Sequence, residues 1–180
     1  DDGYQRLVDM ANHLDVPIMF SVWGSDPFLD KYRRLPYFKI AARQCEYDYI
    51  AQWDALGTFI SIPMSEKCPQ ALSIRSGIPM HVVSEYPAKD PHWERLLELQ
   101  LIFGGIRPVG YSDHTIGIDA CIQAVKKYGA FAIEKHFTLD HNFGPLRDHA
   151  LSATFDEMKE LVRCLKPTNA QKDVQSAVVG

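Results

Sequence analysis

Short apolar runs alternate with amphipathic stretches along the whole chain. The runs at 17–23 (PIMFSVW), 37–42 (YFKIAA), 58–63 (TFISIP), 80–86 (MHVVSEY), 108–113 (PVGYSD) and 131–137 (FAIEKHF) predict six strands. They are short, mostly rich in β-branched or aromatic residues, and bounded by Gly, Pro or Asp. The stretches between them predict helices over 4–14, 46–56, 66–76, 91–103 and 118–128, with a last helix after Thr154. Asp90 stands where it can cap the 91–103 helix, with Pro91 at its first position. The 118–128 helix is expected to bury Cys121, Ala124 and Val125. The last helix carries the capping-box spacing Thr154-x-x-Glu157 and an apolar stripe of Met158, Leu161, Val162 and Leu165.

Strands alternating with helices imply an α/β fold with a parallel sheet and right-handed crossovers. Such a sheet either stays open and doubly wound or closes as a (β/α)8 TIM barrel. No G-x-G-x-x-G follows the first strand, as a dinucleotide-binding sheet would normally show. A barrel instead predicts polar, reactive side chains at the C-terminal ends of several strands. Ser21, Lys39, Ser61, Ser84 with Tyr86, Ser112 with His114, and Glu134 with His136 all stand at such ends. The barrel is therefore the expected fold. It is incomplete, with about six of its eight β-α units in this chain.

Composition narrows the function classes. With 46% hydrophobic residues the chain can bury a core, and a formal net charge of −4 with scattered basic residues argues against a nucleic-acid or acidic-membrane partner. No apolar stretch approaches the length of a membrane span. Cys45, Cys68, Cys121 and Cys164 form no C-x-x-C pair, which suits reduced structural thiols in a cytoplasmic protein.

Residues two apart in a strand share a face, so Ser112 points with His114 and Glu134 with His136. If their strands are neighbours, the two imidazoles meet at the barrel mouth. There they can hold a divalent ion such as Mn²⁺, Mg²⁺, Co²⁺ or Fe²⁺, with open positions for water or substrate oxygen. The plainer reading is a pair of hydrogen-bonded structural histidines. His13, His81, His92, His141 and His149 lack this setting and are expected mostly at the surface, His149 beside Asp148 being the one to watch. Lys39 ends an apolar run, where it either meets an anion at the mouth or lets its stem snorkel to water. Ser61, Ser84 and Ser112 can donate hydrogen bonds to the same anion.

The order VGYSDHTIGI, AIEKHFTLD, DHALS and FDEM from 109 to 158 closely resembles the sialic acid synthase family, which includes N-acetylneuraminate, legionaminic acid and pseudaminic acid synthases. A weaker match runs through FSVW, YFKIAA, FISIPMS and VVSEYP. The resemblance implies a (β/α)8 barrel that condenses phosphoenolpyruvate with an N-acylated amino sugar aldehyde such as N-acetylmannosamine and releases phosphate. It implies a divalent metal, typically Mn²⁺, on His114 and His136. It also implies phosphoenolpyruvate contacts from Lys39, Ser61, Ser84 and Ser112, sugar contacts from Tyr86 and Asp148, and Glu134 beside the reacting carbons. Residues 1–168 correspond to a partial barrel lacking the first two β-α units. Residues 169–180 correspond to a linker toward a C-terminal antifreeze-like domain, through which relatives form homodimers. The missing segments carry further active-site residues, so this chain alone is expected not to turn over. Departures from the family pattern are Val22 for Thr, Ala42 for Ser, Pro63 for Gly and Arg147 for Pro, the first three near the expected phosphate site. They motivate a different expectation, a noncatalytic binding module of the same fold. A third is another metal-dependent aldolase, for which Lys39 is the Schiff-base candidate.

Overall fold

A computed structural model describes residues 2–22, 37–44, 57–64, 75–104, 107–145 and 147–166. Six strands form one sheet: β1 Met19–Ser21, β2 Tyr37–Ile40, β3 Thr58–Ile62, β4 Ile78–Val82, β5 Gly110–Asp113 and β6 Ile133–Lys135. Every neighbouring pair is parallel, and the strands lie in chain order from β1 to β6. A doubly wound sheet reverses its strand order at a switch point. None occurs here, so the winding is that of a barrel wall.

The wall is strongly curled. Lys39 on β2 meets Glu134 on β6 with Nζ 2.7 and 2.9 Å from the two carboxylate oxygens. Four strand spacings in a flat sheet would separate those strands by about 19 Å. Two side chains bridge them only because the sheet closes around a lumen. Six parallel strands thus form the greater part of a (β/α)8 wall.

The register divides the wall into two faces. Through the pairs Lys39–Phe59, Ser61–Met80, Val82–Ser112 and Ser112–Glu134, the lumen side carries Lys39, Ser61, Met80, Ser112 and Glu134. Gly110 sits beneath them because a Cβ there would come within 2.2 Å of Met80 Sδ and 3.0 Å of the Ala132 carbonyl. The opposite face presents Phe38, Ile40, Ile60, Ile62 and Tyr111 to Leu96, Leu99, Phe103, Ala120 and Ala124, and this layer is the hydrophobic core. Val22 belongs to that core at 3% exposure. Its departure from Thr therefore removes no hydroxyl from the lumen, which corrects the expectation drawn for it.

Among the described residues the α-helices are α1 Asp2–His13, α2 Trp93–Ile102, α3 Asp119–Lys126 and α4 Phe155–Leu165. The expected 46–56 helix lies outside the described residues, as do 66–76 up to its last two residues and 169–180. Leu7 and Met10 of α1, and Leu14 just after it, stay exposed. The start of α2 differs from expectation. Asp90 Oδ1 accepts from the His92 N–H at 2.8 Å, a turn that Asp side chains favour, and His92 takes a left-handed φ of 52°. The helix then begins at Trp93, and Asp90 caps the turn rather than the helix. In α3 Cys121 and Ala124 are buried and Val125 is half-buried. The α4 capping box forms as its spacing requires: Thr154 Oγ1 accepts from the Glu157 N–H, and Glu157 Oε2 accepts from the Thr154 N–H. On its stripe Leu161 is buried, Met158 and Leu165 are half-buried, and Val162 is exposed. Among the described residues no helix is long and apolar enough to cross a membrane.

His81 corrects the expectation of a surface histidine. It lies on the core face of β4 with 0% exposure, donating Nε2–H to the Pro91 carbonyl at 2.7 Å. Burial holds its pKa below the usual 6.5, the Pro91 bond opposing only in part. The unfolded chain therefore takes up the proton first as pH falls below about 6.5, and folding stability drops until the folded value is reached. Each pH unit in that window costs about 1.4 kcal/mol per histidine. The heat-denaturation midpoint should fall from pH 7 to pH 5 and stay flat from 7 to 8. His81→Gln, which can keep the Pro91 bond without titrating, should make the acid slope shallower; an unchanged slope would count against this account.

Candidate active site

The C-terminal ends of β5 and β6 bring two imidazoles together. His114 and His136 each follow the last rung of their strands, and their ring centroids lie 5.3 Å apart. Two imidazoles on one ion, at metal–nitrogen distances of about 2.0–2.1 Å, have centroids roughly 5 Å apart. His114 is buried and donates Nδ1–H to the Val83 carbonyl at 2.7 Å, which fixes the tautomer and leaves Nε2 with its lone pair. Burial lowers the His114 pKa, and the neighbouring His136 lowers it further, so the neutral ring is favoured. The donor set fits a divalent cation with further positions left for oxygen ligands. Among the described residues no cluster of three or more His, Cys, Asp or Glu side chains could hold a metal ion. Glu134, two residues before His136, is turned to Lys39, and Asp113, next to His114, is turned to Lys135.

Backbone bonds fix both histidines. The His114 carbonyl accepts from the Ala88 N–H at 2.9 Å. The His136 carbonyl accepts from the Ala153 N–H at 2.7 Å, and Thr138 N–H donates back to the Ala153 carbonyl at 2.9 Å. The loop between 137 and 153 therefore leaves and returns beside His136. It carries Asp148 on the 3₁₀ turn Arg147–Leu151, and His149 Nδ1 lies 2.8 Å from Thr138 Oγ1.

Below the histidines, the lumen holds Lys39, Ser61, Ser112 and Glu134 on one face of the wall. Lys39 is 7% exposed despite its charge, and Glu134 satisfies it. Snorkelling to the surface is thereby excluded for Lys39. Ser61 Oγ is buried with no hydrogen-bond partner among the described residues, a donor free for a bound group. Ser112 is 3% exposed. Tyr86 stands over the pair, its ring 4.1 Å from His114 and 5.9 Å from His136. Ser84 is exposed on the loop after β4, and Ala42 and Pro63 are half-buried just beyond β2 and β3. The structure thus joins His114 with His136 and Tyr86, and Lys39 with Glu134. Ser84 and Asp148 stay on the loops above.

One charged pair at this end was not foreseen. Asp113 and Lys135 are direct register partners on the core face, bonded at 2.7 Å with side chains 0% and 1% exposed. The signal was present in the sequence: opposite charges occupy matching places in SDH and EKH, each between two residues that point the other way.

Residues 1–176 match the NeuB family. An uncharacterised protein of Methanocaldococcus jannaschii is 47% identical over 168 residues, covering 89% of this chain and 45% of its own. The N,N'-diacetyllegionaminic acid synthase of Campylobacter jejuni is 33% identical over 168 residues, covering 92% of this chain and 46% of its own. The chain thus spans about half the length of these curated relatives. Among solved structures, the N-acetylneuraminic acid synthetase of Leptospira borgpetersenii superposes with a TM-score of 0.79 at 22% identity, over 97% of this chain and 68% of that one. A DAHP synthase of Thermotoga maritima superposes at 0.67 with 14% identity, over 94% of this chain and 54% of that one, a likeness of fold.

Proposed function

Because the chain belongs to the NeuB family, we propose that it forms most of the barrel of an enzyme that condenses phosphoenolpyruvate with an N-acylated amino sugar aldehyde. The product is a nine-carbon acid of the sialic type, and phosphate is released, with water balancing the lost group. The observation that carries this reading is the pairing of His114 with His136 at 5.3 Å above a lumen holding Lys39.

The two imidazoles would hold a divalent cation, Mn²⁺ in first place, which when bound supplies Lewis acidity toward the aldehyde oxygen. Lys39 and the hydroxyls of Ser61 and Ser112 line one side of the lumen and suit the anionic groups of phosphoenolpyruvate. Ser84 extends that contact from the loop above. Tyr86 and Asp148 lie on loops over the mouth and suit the sugar. Glu134 pairs in register with Ser112 and bonds Lys39, which supports a role for its carboxylate beside the reacting carbons. Buried donors fixed before substrate arrives lose little in reorganisation, and holding both substrates in one lumen replaces a bimolecular encounter. The full-length protein would be a cytoplasmic homodimer completed by segments beyond this chain.

The test is phosphate release by the full-length protein from phosphoenolpyruvate and N-acetylmannosamine, or another N-acylated hexosamine, with and without Mn²⁺. Metal-dependent release is expected. No release with any such sugar would overturn the reading, and trapping of Lys39 by borohydride with pyruvate would point to a Schiff-base aldolase instead.

A further inference from the structure

The Asp113–Lys135 pair lies behind the histidines, in the layer between sheet and helices. Asp113 Oδ1 accepts from Tyr111 Oη at 3.0 Å and from the Thr115 N–H at 2.9 Å. Oδ2 accepts from Lys135 Nζ at 2.7 Å and from Cys121 Sγ at 3.2 Å. Lys135 Nζ also donates to the Thr115 carbonyl. The pair therefore grips Thr115 through both its N–H and its C=O, while Asp113 is the residue on the other side of His114. His114 stands between two fixed points of the backbone. On β6 the same pair anchors the residue between Glu134 and His136.

Stability does not explain this arrangement. Two charges taken fully out of water contribute little net stability, and well-packed apolar residues of similar volume often do as well or better. What such a pair supplies is a defined position. We infer that Asp113 and Lys135 are positioning residues that set the orientation of His114 and its spacing from His136, an inference that rests on reading those rings as the cation's ligands. Neither touches the lumen, and both act through the backbone that carries the two rings.

The test uses the double variant Asp113→Leu/Lys135→Met of the full-length protein, which removes both charges together. Its thermal midpoint should stay within a few degrees of the parent. Its Mn²⁺ affinity, followed by electron paramagnetic resonance, should fall about 10–100-fold, as for other groups that orient metal ligands. In the metal-free protein, the ¹⁵N signature of a His114 ring protonated only at Nδ1 should give way to mixed tautomers. A folded double variant with parental Mn²⁺ affinity and an unchanged His114 signature overturns the inference. Should the double variant not fold, Tyr111→Phe withdraws one donor from Asp113 without altering packing. A several-fold loss of affinity is then expected, and unchanged affinity overturns the inference. The underlying reading fails separately, if the parent binds no Mn²⁺ or His114→Ala binds it equally well. The ring signature of the metal-free protein then still decides whether the pair orients His114.

Discussion

Alanine at His136 in the full-length protein is expected to lower Mn²⁺-dependent turnover about a thousand-fold or more, and alanine at His114 at least as much. Lewis-acid stabilisation by a bound cation contributes several kcal/mol, and each 1.4 kcal/mol is about tenfold in rate. The two variants should differ in what else they disturb. His114 is buried and bonded to the Val83 carbonyl, so its removal leaves that buried acceptor unpaired and costs about 1–3 kcal/mol of folding stability. His136 is half-buried, and its fixed contact with Ala153 runs through the backbone, which alanine retains. Loss of turnover with a nearly unchanged melting curve is therefore expected for His136→Ala, and loss of both for His114→Ala. Steady-state phosphate release and a thermal melt on each variant check this. Turnover within tenfold of the parent in either one contradicts the assigned role.

The strands were legible because each apolar run carries its own boundaries, and all six appear where the runs fall. Their ends were less so. The 80–86 run reads as one strand, yet β4 covers Ile78–Val82 and the chain beyond it turns away as the loop that carries Tyr86. Period-2 alternation placed Ser112 with His114 and Glu134 with His136. The same alternation sends Asp113 and Lys135 to the other face, but a charge facing a helix layer runs against ordinary patterning. Their pairing shows only once β5 and β6 are set in register. His81 was obscured in the same way: its bond to Pro91 spans ten residues, and no periodicity signals it. The start of α2 failed for a local reason. Asp90 followed by Pro91 reads as a cap and first turn, but the Asp90 side chain reaches the His92 N–H first and delays the helix.

The Lys39–Glu134 pair offers the sharpest separation of chemistry from folding. If the proposed anion site is correct, Lys39→Met should raise the KM for phosphoenolpyruvate about 100-fold or more, since it removes the buried cation that would face the phosphate and carboxylate. Its cost in stability should be small, about 1–2 kcal/mol, because the partner Glu134 is 36% exposed and water can rehydrate it. Glu134→Gln should behave differently. It removes a negative charge from beside the proposed anion site, so phosphoenolpyruvate should bind no more weakly, whereas turnover should fall about 100-fold or more if the carboxylate acts at the reacting carbons. The double variant Lys39→Met/Glu134→Leu leaves neither charge unpaired and should melt close to the parent while remaining inactive. If Lys39 and Glu134 served only to hold β2 against β6, that double variant would recover activity along with stability. Initial rates across a phosphoenolpyruvate series, set beside the melting curves of the three variants, distinguish an anion site from a structural clasp.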